Sequence, residues 1–152
     1  MRIADDDLTA PVVIDLVAFH MAGMRATSPA CSVHALDLSH LKAREVSFWT
    51  VWDGDGDLMG CAALREIDAG HGEIKAMRTL PKHLRKGVGR ALMVHLLGVA
   101  SDRGYTRLGL ETGSGPAFEP ALALYRGFGF RDGEAFGDYR PDPFLRFMHL
   151  NL

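Results

Sequence analysis

The sequence predicts a mixed α/β fold whose sheet is partly antiparallel. Helical and strand patterns alternate along the chain, and an early strand–turn–strand pattern over residues 47–67 is typical of an antiparallel hairpin. No repeat, low-complexity tract or Pro/Ser-rich linker interrupts the 152 residues, a length that corresponds to about one domain. We therefore expect a single domain over residues 1–152.

The composition excludes several classes of protein. Hydrophobic residues make up 47% of the chain and charged residues 24%, values typical of globular proteins and not of disordered or fibrous ones. The net charge of −2 argues against a nucleic-acid partner. Two cysteines without a CxxC motif supply neither a disulfide framework nor a zinc site. Because the acidic N-terminus lacks a signal-peptide pattern and no run of 18 apolar residues occurs, we expect a cytoplasmic protein without a membrane or metal partner.

The first predicted element is a helix. Thr9 is its predicted N-cap, and Pro11 lies in its first turn, where a missing N–H costs nothing. A second, short helix is expected around residues 36–41. The apolar stripe of the first helix has helical spacing and consists of Val13, Leu16, Val17, His20 and Met24.

The hairpin follows, with strands over residues 47–52 and 58–67. Their connection, DGDGD, resembles the start of a calcium-binding loop. Leu58 and Leu64, however, occupy the positions of the glycine and the bidentate glutamate that such a loop needs. A hairpin turn is therefore predicted.

A third strand over residues 72–80 leads into the longest helix. Pro81 ends the strand, and the helix runs from Gly87 to a stop at Arg103 and Gly104. Strict alternation places four strand residues on one face, namely Glu73, Lys75, Met77 and Thr79. A strand over residues 106–111, a short helix over 120–127 opened by Pro120, and a strand over 144–150 complete the pattern.

The segment LRKGVGRAL, residues 84–92, carries the most chemical information. Gly87 and Gly89 let a ligand approach the backbone, while the free N–H groups at the start of the helix favour an anion. Basic residues surround the same turn, so a diphosphate is the expected ligand. The P-loop pattern is absent, and Leu92 stands where the dinucleotide fingerprint needs its third glycine.

Two motifs carry a family resemblance. LRKGVG resembles motif A of the GNAT superfamily of acyl-CoA N-acyltransferases, [QR]xxGxG[AG], with Leu84 at the Gln/Arg position and Arg90 at the small-residue position. About 35 residues downstream, ALALYRGFGF, residues 121–130, resembles motif B, AxxLYxxxGF. Glu119 stands where the superfamily often has an asparagine.

The resemblance implies a twisted, mostly antiparallel sheet whose two central parallel strands splay apart, flanked by helices. It also implies that acetyl-CoA binds in the gap as cosubstrate. The diphosphate would bind the loop formed by Arg85, Lys86, Gly87, Val88, Gly89 and Arg90. The pantetheine amides would pair with the strand edge of Met77, Arg78 and Thr79.

The resemblance further implies acetyl transfer to an amine by direct attack on the thioester. Tyr125 matches the motif B tyrosine that often protonates the departing sulfur, and the backbone N–H of Met77 or Arg78 would polarise the carbonyl. Glu73 is the first candidate for the base, since it lies fourteen residues before Gly87, as the glutamate does in the histone-acetylating members. Glu111 is the second candidate.

The acceptor is left open by the sequence. We expect a small-molecule amine first and a protein amine second, with a homodimer compatible with either. The alternative function is an inactive CoA-binding sensor. The early helices and the last hairpin usually build the acceptor pocket in this superfamily, which points to Arg25, His34, Asp138 and Tyr139.

Overall fold

The computed structural model describes residues 1–30 and 37–152, which form a mixed α/β fold. Seven strands make one sheet in the order β1-β2-β3-β4-β5-β7-β6. The strands are β1 (Arg2–Asp5), β2 (Val46–Trp52), β3 (Leu58–Asp68), β4 (His71–Thr79), β5 (Arg107–Thr112), β6 (Arg131–Asp132) and β7 (Arg146–Asn151). The helices are α1 (Pro11–Thr27), α2 (Leu38–Leu41), α3 (Val88–Asp102) and α4 (Glu119–Gly127).

The central strands β4 and β5 form the one parallel pair of this sheet as described, and all other neighbours are antiparallel. Their pairing covers only residues 71–74 of β4 and 107–110 of β5. Beyond Ile74, β4 continues to Thr79 and pairs, among the strands described, with β3 alone. The predicted splay between the two central strands is thus confirmed.

Apolar side chains cover both faces of the sheet. On one face, α3 and α4 pack through a cluster that includes Leu92, Leu96 and Leu122, each no more than 1% exposed. On the other face, α1 and α2 pack through Val13, Leu16 and Leu41. Burying each such leucine contributes roughly 1.5–3 kcal/mol. Each face of the sheet thus has its own buried apolar cluster.

A β-bulge in β4 breaks the predicted alternation. Ala76 has a φ of 50°, and the register against β3 shifts between Cys61 and Ala63, so two β4 residues oppose one of β3. Before the bulge, Ile74 packs on the α3 face; after it, Met77 packs there and Ala76 packs on the α1 face. The prediction that Glu73 and Met77 share a face is therefore wrong, because the extra residue reverses the order.

The other sequence predictions are largely confirmed. The hairpin, the long helix with Gly104 (φ 75°) after its end, and α4 with a proline in its first turn all lie where expected. Thr9 is not the N-cap of α1, because Ala10 occupies that position and the Thr9 hydroxyl donates to Asp7 instead. Strands β1 and β6 were not predicted. Of the helices in the described ranges, none is long and apolar enough to cross a membrane.

Candidate active site

The loop before α3 forms a cradle of backbone N–H groups. Gly87 is the N-cap of α3 with a φ of 82°, and Arg85 also has a positive φ of 63°. Among the described residues no side chain caps the helix, so the N–H groups of its first turn are available to an anion. Arg85, Lys86 and Arg90 are exposed around the same turn. This arrangement suits a diphosphate.

The second glycine of the loop has a packing role. A Cβ on Gly89 would lie 3.1 Å from Cδ2 of Leu124, so a glycine here lets α3 approach α4 closely. Leu84, at the position where the superfamily has Gln or Arg, is 58% exposed and contributes to neither core.

The cradle lies at the end of the splayed strand β4. The backbone of Met77, Arg78 and Thr79 belongs to the part of β4 that has left β5, and on the opposite edge Arg78 pairs with Cys61 and Thr79 with Gly60. A strand edge without a neighbouring strand can pair with an extended amide-containing ligand. The anion cradle therefore lies next to the open edge of β4, which borders the gap between β4 and β5.

Tyr125, from α4, lies at this gap. Its side chain is 8% exposed, and its ring lies 6.2 Å from that of Phe130. Burial raises the pKa of Tyr125 to about 12, against the opposing field of Arg78, while Glu111 adds to the rise. The phenol therefore stays protonated at neutral pH and is able to donate its proton.

Glu73 is fully buried in a network of donors. Its Oε1 accepts from Nε of Arg65 at 3.0 Å, and its Oε2 accepts from the Tyr139 hydroxyl at 2.7 Å and from Nζ of Lys75 at 3.3 Å. Glu73 itself is 0% exposed. Burial and the negative Glu73 together raise the pKa of Tyr139, so that phenol remains a donor to the carboxylate. Cations on both sides compensate the buried charge.

Glu111, on β5, differs from Glu73 in its surroundings. Burial raises the pKa of Glu111 from 4.5 to about 7, with Glu73 and Asp142 adding to the rise and Lys75 opposing it. A carboxyl group with a pKa near the working pH exchanges protons readily in either direction. This is the chemical behaviour expected of a general base.

Arg78 projects from β4 toward α1. Its Nε donates to Nδ1 of His20 at 3.0 Å, and its guanidinium lies 5.7 Å from the centre of the Phe19 ring. Burial lowers the pKa of His20 to about 4, with Arg78 and Lys75 contributing, so the ring is neutral at pH 7 and Nδ1 acts as the acceptor.

The structure brings most of the predicted residues together and separates others. Tyr125, Glu111, Glu73 and Tyr139 are linked through shared contacts or electrostatic interactions. Arg25 and Asp138 are exposed, and His34 lies outside the described residues. Sequence reasoning did not single out the side chains of Arg65, Lys75, Arg78 and His20 as site residues. Their contacts with Glu73, with Tyr139 and with one another span 2 to 64 positions along the chain. The signal available in the sequence was a charged residue within a buried strand.

The hairpin turn carries a compact polar group. Ligand atoms of Asp53, Asp57 and His83 lie within 4.8 Å of one another. Asp57 is already paired with Nζ of Lys82 at 2.8 Å, and the Asp53 carboxylate accepts from two backbone N–H groups of its own turn. The predicted hairpin turn is thus present; its backbone binds the Asp53 carboxylate, and Lys82 pairs with Asp57.

Known proteins are similar to this chain in sequence and in fold. Residues 14–130 match the acetyltransferase (GNAT) family. The chain is 51% identical over 152 residues to YsnE, an uncharacterized N-acetyltransferase of Bacillus subtilis, with 100% of both chains covered. A proposed acyl-CoA N-acyltransferase of Klebsiella pneumoniae superposes with a TM-score of 0.84 at 31% identity, over 99% of this chain and 97% of the other.

The fold also matches a solved complex with cosubstrate. A GNAT family acetyltransferase of Elizabethkingia anophelis, solved with acetyl-CoA bound, superposes with a TM-score of 0.72 at 20% identity, over 99% of this chain and 97% of the other. At that identity the likeness shows a common fold.

Proposed function

This chain belongs to the acetyltransferase (GNAT) family, and from that premise we propose how its residues carry out the transfer. The protein is an acetyl-CoA-dependent N-acetyltransferase, which moves an acetyl group from the thioester of acetyl-CoA to an amine. The roles of its residues and the class of acceptor are the subject of the proposal.

The diphosphate of acetyl-CoA binds the loop from Arg85 to Arg90, and the pantetheine pairs with the edge of β4 from Met77 to Thr79. The uncapped first turn of α3 after the left-handed Gly87 is the observation that carries this assignment. Backbone N–H groups make most of these contacts, which is why Leu84 is tolerated at the Gln/Arg position. The acetyl carbonyl is polarised by the N–H of Met77 or Arg78 beside the bulge.

The amine nitrogen attacks the acetyl carbon, a C–N bond forms, and the C–S bond breaks. Glu111 accepts the proton that the nitrogen loses, and Tyr125 donates a proton to the departing sulfur. The raised pKa of Glu111, about 7, supports its role as base. Glu73, the first candidate from the sequence, already accepts from three donors, so we assign it to holding Lys75 and Tyr139 in position.

The acceptor is a small-molecule amine. The buried polar cluster of Glu73, Lys75, Tyr139 and Glu111 supports this, since a compact group of charges at the gap suits a small polar molecule.

Two measurements test the function. Titration calorimetry with acetyl-CoA should give saturable binding, and a panel of small amines should include some that release CoA thiol from acetyl-CoA. Peptides with a free N-terminus form the comparison set. Lack of acetyl-CoA binding would refute the proposed site, while binding without thiol release from any amine would refute the assigned chemistry. Release with peptides alone would refute the small-molecule acceptor.

A further inference from the structure

We infer that the acceptor amine also carries a carboxylate and that the guanidinium of Arg78 binds it. This inference rests on the proposed function, because it names the class of acceptor for the same site. Its grounds are the charge, the orientation and the location of one side chain.

Arg78 forms no ion pair with a carboxylate in the part of the chain that the structure describes. Within residues 1–30 and 37–152, ion pairs with acidic side chains are made by Arg65, Lys75 and Lys82, and Arg78 takes part in none of these. Arg78 instead donates to a neutral imidazole and, weakly at 3.5 Å, to the carbonyl of His20. Burial lowers the pKa of Arg78, yet a guanidinium remains charged at neutral pH. A partly buried cation of this kind favours an anion from outside the chain.

The guanidinium is held in one orientation. His20 fixes Nε, and the Phe19 ring lies beside the guanidinium plane. Gly23 makes room for it, since a Cβ at that position would come within 2.9 Å of Nη2. Nη1 makes no hydrogen bond to the residues that the structure describes. A fixed guanidinium with free donors suits a planar carboxylate, because less freedom is lost on binding.

The location of Arg78 connects this anion site with the transfer. Tyr125 interacts electrostatically with both Arg78 and Glu111. Arg78 lies on β4, before the turn Pro81–His83, whereas the diphosphate cradle follows that turn and has its own cations. The bulge directs the Arg78 side chain to the α1 face, away from the α3 face. The carboxylate would therefore bind close to the amine being acetylated, as in an amino acid.

The test compares matched acceptors that differ only in the carboxylate. For several amino acids, the free acid, the carboxamide and the amine lacking the carboxylate are assayed by CoA release. A charge-assisted hydrogen bond contributes about 1.5–3 kcal/mol, so the free acid should be favoured about ten- to hundredfold in kcat/KM. Arg78→Gln should abolish this preference, and Arg78→Lys should retain part of it. Arg103→Gln, which removes a guanidinium that contacts Ser47 and Trp49, should keep the full preference.

Each outcome separates this inference from the proposed function. Acetylation of neutral amines as efficiently as of free acids would overturn the inference and leave the acetyltransferase chemistry intact. An equal loss on all acceptors in Arg78→Gln and Arg78→Lys would also overturn it, since the side chain would then act on the thioester. Acetyl-CoA binding without turnover of any amine would overturn the inference and the assigned chemistry together, whereas absent acetyl-CoA binding identifies a failure of the cosubstrate site.

Discussion

Replacement of Glu111 by Gln tests the assignment of the base most directly. The substitution keeps the size and polarity of the side chain and removes its ability to accept a proton. Glu73 keeps its three donors in this variant, because none of them is altered. The two candidates for the base are therefore separated by one change.

The pKa of Glu111, about 7, sets the size of the effect. The ionised fraction of such a group is about 10% at pH 6 and about 90% at pH 8, so kcat/KM of the wild type should rise roughly tenfold over this interval. An acceptor whose amine has a pKa well below 6 is required, so that the amine does not contribute to the profile. Glu111→Gln should lose this rise with pH, the basic limb of the profile, and its kcat/KM at pH 8 should be about 10²–10⁴-fold below that of the wild type.

The control is Glu134→Gln, since Glu134 is exposed and contacts His149 through its backbone oxygen. This variant should keep both the rate and the limb. A wild-type rate that is flat between pH 6 and 8, or a tenfold limb that persists in Glu111→Gln, would refute the reasoning. Loss of the limb in Glu73→Gln with Glu111→Gln unaffected would return the role to Glu73.

Four further predictions follow from the same structure. In chemical denaturation, Glu111→Gln should raise the free energy of unfolding by about 3 kcal/mol at pH 8 and leave it unchanged at pH 4. The reason is that the pKa of Glu111 is raised in the folded protein, so the wild type has its full stability below pH 4.5 and loses stability as pH rises toward 7, whereas glutamine does not titrate. Tyr125→Phe should lower kcat about 10²–10⁴-fold with unchanged acetyl-CoA affinity in calorimetry, and an unchanged kcat would exclude it as the acid. Gly87→Ala should weaken acetyl-CoA binding roughly tenfold, because alanine at a φ of 82° adds backbone strain of about 1–2 kcal/mol. Gly98→Ala is the control, since Gly98 is exposed within α3 and has open space around its Cβ. This control should bind acetyl-CoA normally and unfold at a higher temperature. Cys61 should resist labelling by thiol reagents at pH 8 until the protein unfolds, because burial raises its pKa to about 12, and mass spectrometry of labelled native protein would reveal a contrary result.

The elements that could be predicted from the sequence are those whose apolar pattern repeats over many residues or whose ends carry a strong signal. Helix α3 repeats its apolar positions over 15 residues and ends at Asp102, just before Gly104, so pattern and stop agree. The β2–β3 hairpin has two apolar strands around an Asp/Gly turn. Strand β1 has four residues and β6 has two, which is too few for any period to show. Their place in the sheet depends on pairing with distant strands.

The loop before α3, to which we assign the diphosphate, could also be predicted, since a left-handed N-cap before an apolar helix favours a glycine, and Gly87 supplies it. The polar contacts of Glu73 and Arg78 could not be predicted in this way. Tyr139 contacts Glu73 across 66 positions, and Arg78 contacts His20 across 58. Such pairs depend on how α1 and the last loop pack over the sheet, and a single sequence carries no local pattern for them.

The bulge at Ala76 explains why Glu73 and Arg78 share the α1 face of the sheet. A strand without it would keep the alternation of GEIKAMRTL and place Glu73 and Arg78 on opposite faces, with the guanidinium against the apolar α3 core. The extra residue reverses the order, so the side chains of both lie on the α1 face while Met77 packs toward α3. The pairing of β4 with β5 ends at Ile74, two residues before Ala76. One strained alanine, with a φ of 50°, thus directs Arg78 to the face where we place the acceptor, and it lies beside the strand edge that we assign to the pantetheine.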